Sequence, residues 1–375
     1  MPLAGHVPAA DTLSFAATVD PALLHRRNPA EVFLTDLSAA GPRRAEDGGV
    51  EGGEDGAEDG DDAGGGFAAA ALLPAGHPHY GSLAGPAGDR VDPMLLLECC
   101  RQAETYAAHA LHGVAEGVGF IFRGLSVETF PDPERAAGHA APDAATRDGA
   151  AEPRDRLVMA CRTREPGVRR GAVSSLDYDF DLWTGRRRTA RIVLRVGYAE
   201  ARTYAALRSR RRGGPPPTSD APVTAPAGVP VEPVRAGRLR ATDCLLLDLA
   251  AGPAEVTAGL RVPVENPSYF DHPHDHVPGM VLVEAARQLA VAAAGHWDGA
   301  PGGPAAMTAV EAEFSQYAEL DRPTALSATA LDGPGAGPRG RHVEVVLRQD
   351  ATEVARMRVT TRAADARSGA AEVTR

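Results

Sequence analysis

The chain contains no lysine; all 39 of its Lys-or-Arg positions are arginine. It also lacks the marks of export or membrane insertion. No apolar run reaches the roughly 18 residues that a spanning helix requires. The start, MPLAGHVPAADTL, has no charged segment leading into a long apolar one, so no secretory signal is expected. Cysteine is scarce: Cys99, Cys100, Cys161 and Cys244 show no C-x-x-C spacing. Adjacent helical cysteines do not readily bridge, so a reduced, cytoplasmic compartment is expected. Outside Arg208 to Arg212 no basic stretch is wide enough to face a nucleic acid.

The formal charge of -11 looks informative, but nine of the acids lie within residues 45–66, where there is no base. The rest of the chain is therefore close to neutral. That Gly-rich acidic segment is too polar to bury and reads as a disordered insertion. Residues 131–155, rich in Pro, Ala and Asp, read as a second loop insertion. Residues 208–230, RSRRRGGPPPTSDAPVTAPAGVP, read as an Arg/Pro-rich linker.

Either side of that linker the sequence repeats itself. DPMLLLECCRQAETYAAHA (92–110) answers PGMVLVEAARQLAVAAAGH (278–296), so Glu98, Arg101 and Gln102 fall on Glu284, Arg287 and Gln288. Upstream, LLHRRNPAEVFLTD (23–36) answers PVRAGRLRATDCLLLD (233–248), and HPHY (77–80) answers NPSY (266–269). Downstream, both halves continue into alternating strand-like runs. Each half reads strand, loop, long helix, then an antiparallel meander that wraps the helix. The expected fold is α+β, a tandem (double) hotdog with two long central helices wrapped by antiparallel sheet. Its units are 1–207 and 231–366, joined by 208–230 and followed by a tail, 367–375.

The helices carry the candidate chemistry. Met280 to Ala294 is apolar all round except at Glu284, Arg287 and Gln288, which marks a buried helix. Positions i, i+3 and i+4 share a face, so Glu, Arg and Gln form one polar patch in each copy. A buried carboxylate is costly unless paired. One reading is an intrahelical Glu–Arg pair that pins the halves together; its presence in both diverged copies favours a pair lining a cavity.

The loop before the second helix, YFDHPHDHVPGM (269–280), offers His272, His274 and His276 at alternate positions with Asp271 and Asp275. A metal site is weighed and set aside, because the first copy keeps only His77 and His79; no metal and no cofactor are expected. The loop is read instead as closing over the helix start. There Pro278 suits the first turn and Gly279 lets a ligand approach free amides at the positive end of the helix dipole. In the first copy Asp92, before Pro93, is a ready N-cap that would occupy those amides.

FDHPHDHVPGMVLVEAARQ, with DPMLLLECCRQ and HRRNPAEVFLTD, resembles the A-factor biosynthesis (AfsA-like) hotdog family over most of the chain. The resemblance implies synthesis of γ-butyrolactone autoregulators. The reaction implied joins a β-ketoacyl group, from an acyl carrier protein or coenzyme A thioester, to the hydroxyl of dihydroxyacetone phosphate. The family's glutamate and arginine positions fall on Glu98, Arg101, Glu284 and Arg287. The catalytic histidine of the distantly similar hotdog dehydratases would fall near Phe270, so dehydration is not expected.

The expected mechanism has a buried glutamate, Glu98 or Glu284, as general base with a pKa raised by desolvation. Arg101 and Arg287 anchor phosphate or keto oxygen. Gln102, Gln288, His272, His276 and Gly279 complete substrate binding, with helix-start amides for the oxyanion. Cys99 and Cys100 are read as core. In a composite arrangement Glu98 and Arg101 work with the 272–279 loop, and this site is expected to be the productive one. Glu284 and Arg287 would face the self-capped Asp92–Pro93. Alternatives are a thioesterase, with water as acceptor, or a non-catalytic acyl-binding regulatory module. Neither nucleic acid nor membrane is an expected partner, and the oligomeric state is left open.

Overall fold

A computed structural model describes residues 12–39, 65–84, 91–130, 155–169, 171–221, 228–300, 305–331 and 340–363. The two expected insertions lie outside these residues except for Gly65, Gly66 and Asp155.

The first half contributes strands β1 (Leu34–Ser38), β2 (Gly66–Leu72), β3 (Gly119–Thr129), β4 (Arg156–Arg169), β5 (Ala172–Thr184) and β6 (Arg187–Ala199). The second contributes β7 (Leu246–Ala251), β8 (Glu255–Leu260), β9 (Ala305–Phe314), β10 (Thr324–Ala330), β11 (Arg341–Gln349) and β12 (Thr352–Ala363). All twelve form one antiparallel sheet in the order β1-β2-β4-β5-β6-β3-β9-β12-β11-β10-β8-β7. Outward from the middle, β3-β6-β5-β4-β2-β1 on one side is matched by β9-β12-β11-β10-β8-β7 on the other. The halves join at β3 and β9, where Leu125 faces Ala312 and Val127 faces Val310. This pairing leaves neither inner strand as an open edge.

Alternation sets which face of the sheet is buried. On β5, Leu176, Tyr178, Phe180 and Leu182 point into the core, as do Ala190, Ile192, Leu194 and Val196 on β6. The other face carries ion pairs such as Asp179 with Arg191 and Arg164.

Two long helices, α1 (Pro93–Ala110) and α3 (Gly279–Trp297), pack against the core face. Asp92 starts α1: its carboxylate accepts the Met94 amide at 2.9 Å, and Pro93 takes the first position, where no N–H is needed. Every residue of α3 from Met280 to Gly295 is buried, as its apolar circumference requires. One hydrophobic core runs through both halves.

The expected linker needs correction at its start. Residues 208–212 complete a third helix, α2 (Ala201–Arg212), that packs on the second half. Arg208, expected in the linker, is buried between Asp275 and Glu319 and stacks on Tyr317. Ser219 then docks on the loop before α3 by exchanging hydrogen bonds with the His274 backbone.

Candidate active site

The repeat builds the same clasp twice. In α1 the Glu98 carboxylate accepts from Arg101 Nε and Nη2, both at 2.8 Å, and from Gln102 Nε2 at 2.8 Å. In α3 Glu284 accepts from Arg287 Nε at 2.8 Å and Nη2 at 2.7 Å, and from Gln288 Nε2 at 2.6 Å. The i, i+3, i+4 spacing puts all three side chains on one helix face. Each glutamine also donates to the Glu31 or Asp243 carbonyl and accepts the amides that open β1 and β7. The glutamine amides are thus engaged within the fold.

A second arginine completes each clasp. Arg26 Nη2 lies 2.5 Å from Glu98, and Arg238 Nε lies 2.9 Å from Glu284. Each follows a short 3-10 turn that opens on proline, Pro21–Leu24 or Pro233–Ala236, and then a residue of positive φ, His25 or Gly237. Sequence reasoning passed over both arginines, although HRRNPAEVFL set against GRLRATDCLL superposes them.

These arginines decide the charge of the carboxylates. Burial alone raises a glutamate's pKa, which is the expectation stated above. Here two guanidiniums and a glutamine N–H outweigh burial and hold Glu98 down to about 2. Glu284 is also lowered, by Arg238 and Arg287 against its burial. The expected raised pKa is therefore corrected: both glutamates are firmly ionised.

The second arginines also tie the halves together. Arg26 reaches Asp271, in the loop before α3, at 3.5 Å. Arg238 reaches Asp92, the cap of α1, at 3.3 Å. Arg26 thus links Glu98 to Asp271, one residue ahead of the 272–279 loop, and Arg238 links Glu284 to Asp92.

The two sites differ in access. The Arg287 side chain is 4% exposed, and Arg238, Glu284 and Asp92 are shut in completely. Behind them His79 bridges Asp243 at 3.0 Å and Tyr269 at 2.8 Å, closing that end. The Arg101 side chain is 16% exposed and that of His272 is 30% exposed. The helix starts differ as well. Asp92 caps α1, whereas among the described residues no side chain caps α3 at Pro278. A Cβ on Gly279 would stand 3.4 Å from Phe314 and 3.7 Å from Phe122. Phe120, two residues back on the same face of β3, packs edge-on against His25. Phe120 and Phe122, on one face of β3, thus bring His25 and the start of α3 to neighbouring positions.

The loop histidines divide. His272 Nδ1 is 2.6 Å from Asp271, and its ring is tilted 4.2 Å from that of His274. Burial and its neighbours His272 and His276 lower the His274 pKa to about 3. Its buried Nε2 has no hydrogen-bond partner among the described residues. His276 faces elsewhere, held by Asp275 at 2.6 Å and packed on Tyr317 beside α2. Among the described residues no group of three or more His, Cys, Asp or Glu side chains is arranged to hold a metal.

Cys99 and Cys100 are wholly buried, and burial pushes both thiols up, which suits core residues. Glu104, one turn beyond Arg101, is buried with its pKa raised to about 7 by desolvation. It accepts from Tyr198 at 3.0 Å, and Tyr198 meets Tyr178 at 2.8 Å. The sequence shows Glu104 as a polar residue on a greasy helix but gives no sign of the strand tyrosines that surround it.

The profile of the A-factor biosynthesis hotdog domain matches residues 8–197 and 219–365. A Streptomyces virginiae protein named 2-oxo-3-(phosphooxy)propyl 3-oxoalkanoate synthase is 32% identical over 348 residues, 93% of this chain and 99% of its own length. A Streptomyces coelicolor protein of the same name is 32% identical over 72% of this chain and 76% of its own. Among solved structures, a putative thioesterase from Novosphingobium aromaticivorans aligns with a TM-score of 0.46 at 12% identity, covering 79% of this chain and 95% of its own.

Proposed function

This chain belongs to the A-factor biosynthesis hotdog family, and on that premise we propose that it transfers a β-ketoacyl group from a thioester to the hydroxyl of dihydroxyacetone phosphate. The thioester donor is an acyl carrier protein or coenzyme A conjugate. The name of the Streptomyces relatives supports this acceptor, since a 2-oxo-3-(phosphooxy)propyl ester of a 3-oxoalkanoate is the ester of that alcohol. The cytoplasm is the proposed location; four free cysteines suit a reducing compartment, and among the described residues no helix is long and apolar enough to cross a membrane.

The observation that carries the reading is the unequal access of two matched clasps. The Glu98 clasp is partly open and adjoins an uncapped helix start; the Glu284 clasp is sealed and adjoins a capped one. We assign turnover to the open site. Arg101 keeps outward donors while Glu98, itself held by Gln102, fixes its guanidinium, so it anchors the phosphate or the keto oxygen. The free amides at Gly279 and Met280 stabilise the thioester oxyanion, with His272 bordering the site. Glu98, ionised and held by two guanidiniums, acts by positioning Arg101 rather than as general base. Glu284, Arg287 and Gln288 hold the sealed half together, and His276 supports the loop.

The architecture behind this is a tandem hotdog pseudo-dimer, α1 and α3 being its two central helices. The matched strand orders either side of the β3–β9 junction support it.

Purified protein given a β-ketoacyl-coenzyme A, with and without dihydroxyacetone phosphate, tests the function. Phosphorylated ester formed only with the alcohol is the expected result. Free acid released at one rate in both cases would instead make the protein a thioesterase. Ligand-dependent melting without turnover would make it an acyl-binding module.

A further inference from the structure

Two histidines of the first half take no part in the clasps. His25 Nε2 and His109 Nε2 lie 2.9 Å apart, and His109 Nδ1 lies 2.7 Å from the Val114 carbonyl oxygen. A carbonyl only accepts, so His109 carries its proton on Nδ1 and offers a lone pair at Nε2. His25 therefore donates through Nε2, and its own lone pair is on Nδ1. Among the described residues no hydrogen bond engages that atom. Phe120 packs against both rings, at 4.8 Å and 5.4 Å.

The second half has neither histidine. The register that matches Arg26 with Arg238 sets His25 on Gly237. The register that matches Glu98 with Glu284 sets His109 on Gly295. Both His25 and Gly237 hold left-handed backbone, with φ of 53° and 71°. Glycine adopts that conformation freely, whereas a side chain there is strained. A Cβ at Gly237 would stand 3.3 Å from Val291, leaving little room for a ring. A strained, bulky residue kept only beside the partly open clasp points to a function at that clasp.

We propose that His25 is the proton acceptor for acyl transfer in the open site, with His109 fixing its reactive tautomer. This rests on the acyl-transfer reading and supplies a base with an unengaged lone pair, where the Glu98 carboxylate is taken up by Arg26, Arg101 and Gln102. The acceptor oxygen bonds to the thioester carbonyl carbon as its proton passes to His25 Nδ1. The C–S bond then breaks and the proton is returned to the departing sulfur, leaving ester and thiol. Burial, then His109 and Arg101 from α1 and His272 from the loop before α3, lower the His25 pKa to about 4. Glu98, paired with Arg26 and Arg101, and Asp271, paired with Arg26 and His272, add further charge nearby. His25 is therefore unprotonated at neutral pH and free to accept, and a phosphate dianion bound at Arg101 strengthens it as a base.

The test uses the full-length protein with a β-ketoacyl-coenzyme A and dihydroxyacetone phosphate, reading ester by mass spectrometry and melting by circular dichroism. His25→Asn, a residue that tolerates left-handed backbone, is expected to lower kcat about 100-fold or more. KM for the phosphorylated alcohol and the melting temperature should stay near wild type, and the acidic limb of the kcat/KM profile should disappear. His109→Gln, whose amide oxygen can accept from His25 Nε2, should retain most activity that His109→Ala loses. A folded His25→Asn protein within about threefold of wild-type kcat overturns the inference while leaving acyl transfer intact. Should His25→Asn not fold, the His109 pair decides, and His109→Ala with wild-type kcat overturns it. A wild-type protein that forms no ester overturns the acyl-transfer reading, and this inference with it.

Discussion

Asp92 and Arg238 come from opposite halves of the chain and meet at 3.3 Å, with neither side chain reaching solvent. Through this contact one arginine neutralises the Glu284 clasp and the cap of α1 together. Its counterpart, Arg26, joins Glu98 to Asp271 at 3.5 Å on the side where Arg101 and His272 reach the surface. The same device thus seals one site and borders the other.

Replacing each clasp glutamate should therefore have different consequences. Glu284→Gln leaves two buried guanidiniums, Arg238 and Arg287, with Asp92 beside Arg238 as the remaining counter-charge, which should cost about 3–5 kcal/mol of stability. Turnover per folded molecule should change little. Glu98→Gln should lower kcat/KM about 100-fold by releasing Arg101, the scale of loss that follows a misplaced binding group. Chemical denaturation and steady-state kinetics on the same preparations separate the two effects. Full activity of folded Glu98→Gln would remove Arg101 positioning from the mechanism.

The Glu98 ion pairs also set an acid limit. A carboxylate whose folded pKa is depressed contributes stability above its unfolded pKa and loses it as pH falls through the folded value. With Glu98 at about 2 against an ordinary value of 4.5, its share should be lost between roughly pH 4.5 and 2. Melting temperatures of wild type and Glu98→Gln should converge across that window and stay apart above it.

Glu104 should behave in the opposite sense. Its raised pKa means that the folded state holds a proton which the unfolded state has released, so stability falls as pH rises from about 4.5 to about 7. Glu104→Gln, which still accepts from Tyr198, should remove that slope and stabilise the protein above pH 7 by about 3 kcal/mol. Denaturant titrations at pH 5 and pH 8 measure it; equal differences between wild type and variant at the two pH values would contradict a titrating Glu104.

Arg101→Lys tests the anchor. Lysine keeps the charge but loses the planar fork that grips Glu98 and presents outward donors. Loss of a charged hydrogen bond of about 1.5–3 kcal/mol corresponds to roughly a 10- to 100-fold rise in KM for dihydroxyacetone phosphate. KM for the thioester should rise less. A rise confined to the thioester would move Arg101 from the phosphate to the keto oxygen.

Residues 231–375 expressed alone should be insoluble or self-associate. Without the first half, β9 becomes an open edge, and Arg238 and Asp243 lose Asp92 and His79. Sedimentation and light scattering check this; a folded, soluble monomer would contradict the pseudo-dimer.

Much of this molecule is legible in one dimension. The apolar circumference of Met280 to Ala294 demands a buried helix, and the i, i+3, i+4 recurrence of Glu, Arg and Gln in both halves places the clasps. Asp92 before Pro93 announces a cap, and Pro278 before Gly279 announces its absence. These are local rules, decided by periodicity and by which backbone N–H groups lack partners, so the sequence states them directly. The charge state of Glu98 was not legible in the same way, because burial and two guanidiniums push in opposite directions. Arg26 lies 72 positions from Glu98, and only the fold puts it 2.5 Å away. Access depends equally on distant contacts: Arg238 with Asp92 and His79 with Tyr269 shut one clasp, and no spacing within either half foretells them. The sequence by itself determined the two helices, their polar faces and the family; tertiary structure alone decided which face stays open, since access depends on what distant segments pack over it.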